Sequence, residues 1–467
     1  MSPINSDTLS ATNPRTGKTD YEFTVDDVDS AARDLRERQA AWAALGLDGR
    51  AEALTHFADS LARHRDAIIA ALATDTGRSR IAAQEVDGVI GMIHGWVAQA
   101  PHLLPSEDWT PGRAKPHMKH QTAMIPYPLV GVISPWNFPV TLSFIDTIPA
   151  LLAGCAVLVK PSEVTPRFVD PLRTAIPDAL PLRFVRGGGQ TGAEVVMASD
   201  CICFTGSVET GKKVALAAAA NLIPANLELG GKDPLVVLAG ADLETAAHVA
   251  LRASVLATGQ ACQSIERVLV HDDDLEPFAT RLAELAADVP LAIGNEPPGA
   301  IGPFIFPEQA AKVQAQIDDA VARGAKVLSG GKVEVHGGTY LRPTVLTHLT
   351  PDMDILREET FGPVIPVIGY ANVDEAVALA NATQFGLSAA VIGPDEESAL
   401  AVARRLDAGA VSLQDAALTN QYFEAPKQSF KSSGLGGSRM GPDGFARFFR
   451  KKAYIANTAE PLKLEEF

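Results

Sequence analysis

A thiol and a carboxylate are the residues of this sequence that first suggest chemistry. Cys262 ends the short string Gly259-Gln260-Ala261-Cys262, and Glu228 lies upstream in Leu227-Glu228-Leu229-Gly230-Gly231. A thiolate can add covalently to a carbonyl carbon, and a carboxylate can remove a proton from an attacking water molecule. Each residue alone is more often structural, but together they suggest covalent oxidation of a carbonyl compound.

The composition indicates a globular protein that acts on small molecules. The chain has 467 residues, of which 46% are hydrophobic, and its length suggests two or three domains. The net charge of −16 argues against general electrostatic binding of nucleic acid or an anionic membrane. Residues 1–14 lack the profile of a secretory signal, and the apolar stretch 148–159 is too short to span a bilayer. We therefore expect a cytoplasmic protein without nucleic-acid or membrane partners.

The four cysteines are too few for a disulfide framework in so long a chain. Cys201 and Cys203 lack the spacing and the second pair that a metal site requires, so no metal is expected. Together with Cys155 they lie in apolar runs and are interpreted as buried packing residues. Cys262 differs because its neighbours are small or polar.

Helical and strand patterns alternate along the chain, which is typical of an α/β fold with mainly parallel sheets. Thr24 is predicted to begin a helix as part of a capping box with Asp27, and a second helix is predicted to end before Gly77. The segment 100–127 has little periodicity and predicts loops or a hairpin. Short apolar strands, most of them followed by turns and helices, are predicted at 130–134, 156–160, 183–185, 202–204, 235–238, 266–270, 325–328 and 364–368.

Two glycine-containing segments compete for a phosphate-binding role. Residues 187–192 match the G-x-G-x-x-G pattern between a predicted strand and a predicted helix, with Glu209 near the expected distance downstream. In the second segment, 204–211, Ser207 could cap a helix whose N-terminus would hold a pyrophosphate. Either segment could also be an ordinary turn, and spacing slightly favours the second.

Six motifs, taken together and in this order, resemble the aldehyde dehydrogenase superfamily from about Asn13 to the C-terminus. The motifs are Pro135-Trp136-Asn137-Phe138-Pro139, Lys160-Pro161-Ser162-Glu163, Phe204-Thr205-Gly206-Ser207, Leu227-Glu228-Leu229-Gly230-Gly231-Lys232, Gly259-Gln260-x-Cys262 and Glu358-Glu359-x-Phe361-Gly362-Pro363. Any one of them would be only suggestive, but six in register are highly specific.

The resemblance implies three structural units. A Rossmann-like parallel-sheet cofactor domain would comprise residues 1–107 and 127–230, and a second α/β domain, the catalytic domain that carries Cys262, would comprise 231–430. A small oligomerisation arm would be formed by 108–126 and 431–467, giving a homodimer or homotetramer. The resemblance also implies that the pyrophosphate lies near the Phe204 to Ser207 turn, which leaves the Gly187 segment as a structural turn.

The resemblance also implies catalytic roles. Cys262 would attack the aldehyde carbon to form a thiohemiacetal, and loss of hydride would leave a thioester on its sulfur. The side-chain amide of Asn137 and the backbone N–H of Cys262 would stabilise the oxyanion. Glu228 would deprotonate the water that hydrolyses the thioester.

NAD is the expected cofactor, and NADP is possible. Lys160 and Glu163 would hold the adenosine ribose, Ser207 the pyrophosphate and Glu359 the nicotinamide ribose, with Phe361 near the ring. A carboxylate that faces the 2′ position repels a 2′-phosphate, which favours NAD. The complete implied set of cofactor-binding residues is Ser134, Trp136, Lys160, Ser162, Glu163, Gly206, Ser207, Gly211, Leu229, Gly230, Glu359 and Phe361.

The substrate is the least constrained part of the interpretation, because the sequence departs from the family pattern near the expected substrate entrance. Gln414 takes the place of an asparagine. The usual proline-aromatic-glycine-glycine-x-lysine turn appears as residues 426–431, and Arg439 occurs in the altered segment that follows it. Residues expected to line the substrate cavity are Phe138, Leu142, Ile145, Ala261, Gln263, Tyr422, Phe423 and Phe430.

That lining favours an aromatic or medium-chain aliphatic aldehyde. Lys427 or Lys431 could instead hold the carboxylate of a semialdehyde. A coenzyme A-acylating reaction is a further alternative, against which Glu228 argues because a thiol acceptor needs no base placed for water. A non-enzymatic protein that retains the fold is expected to lack the thiol, the base or the oxyanion amide, and all three are present.

Overall fold

The computed structural model describes residues 8–104, 108–461 and 463–466. Residues 1–7 and 105–107 of the predicted cofactor domain, and residues 462 and 467 of the predicted arm, lie outside the described part. Before residue 127 the chain forms β1 (Thr8–Asn13), β2 (Lys18–Thr24), α1 (Val28–Ala44), α2 (Gly46–Thr76), α3 (Ser79–Gln99), β3 (Thr110–Pro111) and β4 (Met118–Pro126), with a 3-10 turn at Ala100–His102.

The first helix begins later than its sequence pattern predicted. Thr24 is wrong as the helix start because it ends β2, where it pairs with Thr8. Asp27 is the N-cap of α1 and accepts a hydrogen bond from the backbone N–H of Ser30 at 3.0 Å. The second predicted helix is confirmed, since α2 ends at Gly77, whose φ of 67° is the left-handed conformation favoured at a helix end.

A doubly covered parallel sheet follows. Its elements are β5 (Leu129–Ile133), α4 (Pro139–Ala153), β6 (Ala156–Lys160), α5 (Val169–Ala175), β7 (Leu182–Phe184), α6 (Gly189–Ala198), β8 (Cys201–Thr205), α7 (Val208–Ala220) and β9 (Ala225–Glu228). The strands are parallel in the order β9-β8-β5-β6-β7. One apolar cluster packs α2, α3 and α4 on one face, and another packs α1, α6 and α7 on the opposite face. Cys155, Cys201 and Cys203 are buried in these layers, as predicted.

The second sheet is also mainly parallel. Its segment contains β10 (Asp233–Val237), α8 (Leu243–Val255), β11 (Ile265–His271), α9 (Leu275–Ala287), α10 (Pro307–Ala322), β12 (Lys326–Ser329), β13 (Val333–His336), β14 (Gly338–Leu341), β15 (Thr344–Thr347), α11 (Asp354–Arg357), β16 (Val364–Tyr370), α12 (Val373–Asn381), β17 (Phe385–Gly386), β18 (Ser388–Ile392), α13 (Glu396–Ala403) and β19 (Ala410–Leu413). Short 3-10 turns lie at Leu256–Gly259, Asp272–Asp274 and Leu418–Asn420. The strand order is β12-β15-β16-β11-β10-β18-β19, with only the pairing of β12 and β15 antiparallel. The eight strands predicted from sequence are thus confirmed within a few residues of their ends.

The C-terminal tail contributes one strand to each of three separate sheets. It contains β20 (Phe430–Lys431), β21 (Gly434–Leu435), α14 (Asp443–Ala446), β22 (Phe449–Asn457) and a 3-10 turn at Leu464–Glu466. β20 pairs with β17, and β21 extends the first sheet by pairing with β9. β22 joins β3 and β4 in a separate antiparallel sheet, which confirms the hairpin predicted within 100–127.

The described residues contain neither a helix suited to span a membrane nor a cluster of metal-binding side chains. None of the helices in these ranges combines the length and the apolar character that crossing a membrane requires. The same ranges contain no cluster of three or more His, Cys, Asp or Glu side chains arranged to hold a metal ion.

A buried ion cluster fastens the tail to α4. Asp146 is 1% exposed, accepts a hydrogen bond from Arg439 Nη2 at 2.8 Å and also accepts one from Arg447. Burial alone would raise the pKa of Asp146, but the two guanidinium groups hold it below its ordinary value. The cluster therefore depends on an ionised carboxylate.

Replacing Asp146 with asparagine is expected to lower the free energy of unfolding by about 3–5 kcal/mol, because two buried guanidinium groups lose their counter-charge. Urea unfolding followed by circular dichroism measures this loss. Asp87→Asn, which breaks an exposed pair with Arg65, is the matched control and should change stability far less. Equal effects in the two variants would contradict a special role for the buried cluster.

Candidate active site

Three neighbouring cavities lie at the carboxyl ends of the two parallel sheets, where open α/β folds bind ligands. The outer cavity, about 520 Å³, is lined from the ends of β5, β6 and β8. The central cavity, about 320 Å³, shares the Trp136 and Ser207 walls with it and reaches Cys262. The inner cavity, about 450 Å³, lies on the other side of Cys262 and contains Glu228.

A strained loop carries Cys262. Ala257, Thr258 and Gly259 have φ values of 55°, 62° and 66°, and each non-glycine residue in this left-handed region costs on the order of 1–3 kcal/mol. Gln260 anchors the loop because its fully buried amide accepts from Ile305 N at 3.0 Å and donates to Pro303 O at 3.3 Å. The surrounding structure thus fixes the backbone immediately before the thiol.

Glycine permits the two sheets to touch beside Cys262. A Cβ atom on Gly231 would lie 2.6 Å from the carbonyl oxygen of Cys262, and one on Gly259 would lie 2.4 Å from the carbonyl carbon of Gly362. Real side chains do not fit at such distances. The turn after β9 therefore packs directly on the loop that carries the thiol.

Asn137 reaches the same loop from the first sheet. It is 3% exposed, and its side-chain Nδ2 donates to the backbone carbonyl of Gln260 at 3.0 Å. Arg78 reinforces this contact, since its buried guanidinium donates to the carbonyls of Asn137 and Ala257. An amide donor is thereby held at the wall of the cavity that contains Cys262.

Glu228, the last residue of β9, has two side-chain partners. Ser429 Oγ donates to Glu228 Oε2 at 2.8 Å, and Lys427 Nζ lies 3.4 Å from the same oxygen. The carboxylate therefore has a fixed orientation in the wall of the inner cavity.

The environment of Cys262 disfavours its ionised form. Burial raises the pKa of the thiol to about 12, Lys427 lowers it, and Asp233, Glu228 and Glu359 raise it further. Burial is thus the main factor that opposes ionisation of the thiol in the protein alone.

A buried ion pair positions the loop that carries Glu359 and Phe361. Lys232 Nζ donates to Glu266 Oε2 at 2.7 Å, and the same carboxylate accepts from the backbone N–H groups of Thr360 and Phe361 at 2.8 Å each. The Glu359 carboxylate accepts from Gly231 N at 3.1 Å. Burial, followed by the charge of Glu266, raises the pKa of Glu359.

The outer cavity has the donor set of a dinucleotide site. Ser207 caps α7 and accepts from Thr210 N at 3.3 Å, so the positive end of that helix faces the cavity. Lys160 Nζ donates to Glu163 Oε2 at 2.7 Å on the opposite wall. Gly206 has no room for a Cβ, which would lie 2.6 Å from the Phe204 ring. These residues fit a pyrophosphate and a ribose, and the outer and central cavities together extend to Cys262.

A model of the aldehyde dehydrogenase family matches residues 3–454. The chain belongs to the aldehyde dehydrogenase family.

Relatives and solved structures support this membership across the chain. A Mycolicibacterium smegmatis protein that carries the provisional name NADP(+) succinate-semialdehyde dehydrogenase is 37% identical over 437 residues, covering 91% of this chain and 83% of that protein. The structure of a provisionally named aldehyde dehydrogenase, PutA, from Anabaena variabilis has a TM-score of 0.94 and 46% identity, covering 98% of this chain and 100% of its own. Betaine aldehyde dehydrogenase from Staphylococcus aureus, in complex with NAD+, has a TM-score of 0.91 and 27% identity over 100% and 94% of the two chains. The predicted family and fold class are confirmed.

Most cofactor residues implied by resemblance to aldehyde dehydrogenases line the outer or central cavity. These are Ser134, Trp136, Lys160, Ser162, Glu163, Gly206, Ser207, Leu229, Gly230, Glu359 and Phe361. Gly211 is the exception, because it lies inside α7 where a Cβ would be 2.5 Å from Leu229, so it is a packing position behind the site. Gly189 and Gly192 of the first glycine segment also line the outer cavity.

Most residues predicted to line the substrate cavity of this aldehyde dehydrogenase lie in the wall of the inner cavity. Phe138, Leu142, Ile145, Ala261, Gln263 and Phe423 line the inner cavity. Tyr422 lines an adjacent groove and is 55% exposed. Phe430 is a correction: it pairs with Gly386 in the short β17–β20 ladder, is 42% exposed and does not line the cavity.

Charged residues of the inner cavity were missed by the sequence interpretation. Arg252, Arg439 and Glu85 line it together with Lys427. Lys431 does not, since its ammonium lies 2.9 Å from Asp407 and 2.9 Å from the carbonyl of Asn381. The sequence shows that residues 427 and 439 depart from the family pattern. Only the fold shows that both side chains line the inner cavity.

Gln414, another departure from the aldehyde dehydrogenase pattern, has a structural contact. Its side-chain amide accepts from Gly393 N at 3.0 Å and donates to Gly393 O at 3.1 Å. The residue fastens the end of β19 to the end of β18.

Proposed function

We propose that the protein oxidises an aldehyde to the carboxylic acid with NAD(P), using Cys262 as nucleophile. The observation that carries the proposal is the convergence of three groups from separate segments. Cys262, Asn137 and Glu228 line the adjoining central and inner cavities, with Cys262 common to both. Each has the chemical character that one step of the reaction requires.

Cys262 first loses its proton to solvent, and the thiolate then attacks the aldehyde carbon while the carbonyl π electrons move to oxygen. The Asn137 amide and the backbone N–H of Cys262 donate to that oxygen, and losing one such donor typically costs about 3 kcal/mol of transition-state stabilisation. NAD(P), when bound, accepts the hydride that the thiohemiacetal loses. Cys262 then carries the acyl group as a thioester.

Glu228 completes the reaction in this proposal. It removes a proton from water as the water attacks the thioester carbon, and the C–S bond breaks to release the carboxylic acid and the Cys262 thiolate. Its fixed contact with Ser429 keeps the carboxylate in the cavity wall. A carboxylate positioned to deprotonate water favours hydrolysis of the thioester over transfer of its acyl group to coenzyme A.

Uncharged aromatic or medium-chain aliphatic aldehydes are the proposed substrates. Apolar side chains such as Phe138, Leu142 and Ile145 line the inner cavity. Among the described residues, the cations of its lining already have carboxylate partners: Arg252 pairs with Asp415, Arg439 with Asp146 and Lys427 with Glu228. A substrate carboxylate would compete with these partners for the cations.

A semialdehyde is the second candidate. The provisional name of the Mycolicibacterium smegmatis relative supports it, and so does the concentration of three cations in one cavity. A substrate carboxylate that displaced a partner would gain a partly desolvated cation.

An aldehyde panel with NAD or NADP tests the function. NADH or NADPH formation is expected without coenzyme A, faster for uncharged aldehydes than for semialdehydes. Cys262→Ala should abolish it, and Glu228→Gln should slow the steady state while leaving a first turnover. Activity that persists in Cys262→Ala would rule out the proposed nucleophile, and a requirement for coenzyme A would change the reaction class.

We also propose that NAD is preferred over NADP. Lys160 and Ser162 with Glu163 would hold the adenosine ribose, Ser207 with Gly206 the pyrophosphate, and Glu359 the nicotinamide ribose. The side chain of Glu163 is 44% exposed at the cavity edge, where its charge would repel a 2′-phosphate.

Glu163→Gln is therefore expected to lower the KM for NADP relative to that for NAD by about tenfold, since removing a like charge relieves repulsion. Steady-state kinetics with both cofactors measure the ratio. Glu209→Gln, at an exposed position on α7, is the control. An unchanged ratio in Glu163→Gln would show that this carboxylate does not select the cofactor.

A homodimer or homotetramer in the cytoplasm is the proposed state of the protein. We assign cofactor binding to the first sheet, the Cys262 nucleophile to the second, and oligomerisation to the sheet of β3, β4 and β22. That sheet carries exposed apolar side chains at Trp109, Tyr454 and Ile455, and the four unpaired cysteines are typical of a reducing compartment. Light scattering is expected to give two or four chains, and Ile455→Asp should lower the mass; a monomeric native protein would contradict the assignment.

A further inference from the structure

A lysine ammonium is buried in the inner cavity beside the carboxylate that we propose as the base. The side chain of Lys427 is 4% exposed and that of Glu228 is 12% exposed, and their Nζ and Oε2 atoms lie 3.4 Å apart. Lysine is almost never buried to this degree without a counter-charge. Burying the Lys427–Glu228 pair therefore costs desolvation free energy, which other interactions in the fold must offset.

The segment that carries Lys427 wraps around Glu228. Lys427 N donates to Ser438 Oγ at 3.0 Å, Ser429 Oγ donates to Glu228 Oε2 at 2.8 Å, and Gly434 pairs with Glu228 in the β21–β9 ladder. These contacts fix both the backbone and the side chain of the base. The position of the Lys427 backbone thus does not depend on the ion pair between Lys427 and Glu228.

Both side-chain partners of Glu228 occur at departures from the family pattern. In the turn at 426–431, Lys427 stands at the aromatic position and Ser429 at the second glycine position. Neither an aromatic hydrocarbon ring nor a glycine side position could donate a hydrogen bond to a carboxylate. In this chain, both positions carry donors that contact one oxygen of Glu228.

Lys427 is also the cation that acts on Cys262. Lys427 and Cys262 line the same cavity, and of the four charged groups with the largest effect on the thiol pKa, Lys427, Asp233, Glu228 and Glu359, Lys427 alone lowers it. It also lowers the pKa of the buried Asp233, which burial raises. The charge of Lys427 thus opposes the effect of three carboxyl groups on the thiol.

We propose that Lys427 is a positioning residue of the Cys262–Glu228 centre: it holds Glu228 Oε2 together with Ser429, and its positive charge favours the Cys262 thiolate. The inference rests on the proposed function for the roles of Cys262 and Glu228. In this proposal Lys427 acts on Glu228 and Cys262 and does not bind a substrate carboxylate.

Alkylation of the thiol tests the electrostatic part without aldehyde or cofactor. The protein is treated with iodoacetamide between about pH 7 and pH 10, and modification of Cys262 is followed by peptide mass spectrometry. In Lys427→Met the rate at each pH is expected to fall about tenfold, because removing a nearby cation raises the thiol pKa by about one or more. Lys427→Arg keeps the charge and should retain the native profile.

Lys431→Met is the matched control. Lys431 lies four positions further along the same segment and pairs with Asp407 outside the cavity. Its loss should leave both the alkylation profile and turnover unchanged. A native profile in Lys427→Met, or an equal change in Lys431→Met, would overturn the proposal.

A second variant keeps the test decisive if Lys427→Met does not fold. Glu228→Gln removes an anion near the thiol and frees the ammonium from its partner, so the alkylation profile should move to lower pH. The combined Lys427→Arg and Glu228→Gln protein should behave like Glu228→Gln alone. A profile of Glu228→Gln that stays in place or moves to higher pH would overturn the proposal.

Transient kinetics test the positioning part. With an active aldehyde, Lys427→Met is expected to form the first equivalent of NADH faster than later ones, because a misplaced base slows hydrolysis of the thioester. The KM for NAD should stay unchanged, and Ser429→Ala should give a weaker effect of the same kind. Unchanged kcat and no burst of NADH in Lys427→Met would exclude a role of Lys427 in positioning Glu228. Inactivity of the native protein with every aldehyde would instead contradict the proposed function. The alkylation result does not depend on that function.

Discussion

Direct backbone contact between the two sheets is the constraint on which the site depends. At Gly231 there is no space for a Cβ atom, because this residue packs against the carbonyl oxygen of Cys262 from the second sheet. The contact lies just after Glu228, at the end of β9. It brings a carboxylate and a thiol from different sheets to one cavity. A side chain at Gly231 would separate them.

Buried charge pairs hold the segments around the site. Lys232 and Glu266 hold the loop of Glu359, and Asp146 with Arg439 joins α4 to the tail. Removing ions from water is expensive, and further hydrogen bonds to the paired groups offset part of that cost. For Glu266, two backbone donors supply such bonds in addition to Lys232. Each pair therefore fixes a loop in one position, which gives the cavities a defined shape before any ligand binds.

The sequence was sufficient for the layers of the fold and for most of the candidate site. Runs such as 156–160 are apolar on both faces, so periodicity alone indicated buried parallel strands. Predictions from residue type were wrong where pairing with a strand distant in sequence decides the local structure. Thr24 has the side chain of a helix cap, yet it pairs with Thr8 in a strand. Phe430 has the side chain of a cavity wall, yet a two-residue ladder turns it toward solvent.

Lys427 shows why a departure from a motif is more informative in three dimensions than in the sequence. In the sequence it was one of two lysines that could hold a substrate carboxylate, and nothing distinguished it from Lys431. In the fold, the same turn places one ammonium 3.4 Å from Glu228 and the other 2.9 Å from Asp407. A lysine that already neutralises a buried carboxylate has little remaining affinity for a second one, because the cost of separating the first pair opposes the exchange. The charges in this cavity consequently favour a role in the chemistry of Cys262 and Glu228 over a role in binding an anionic substrate.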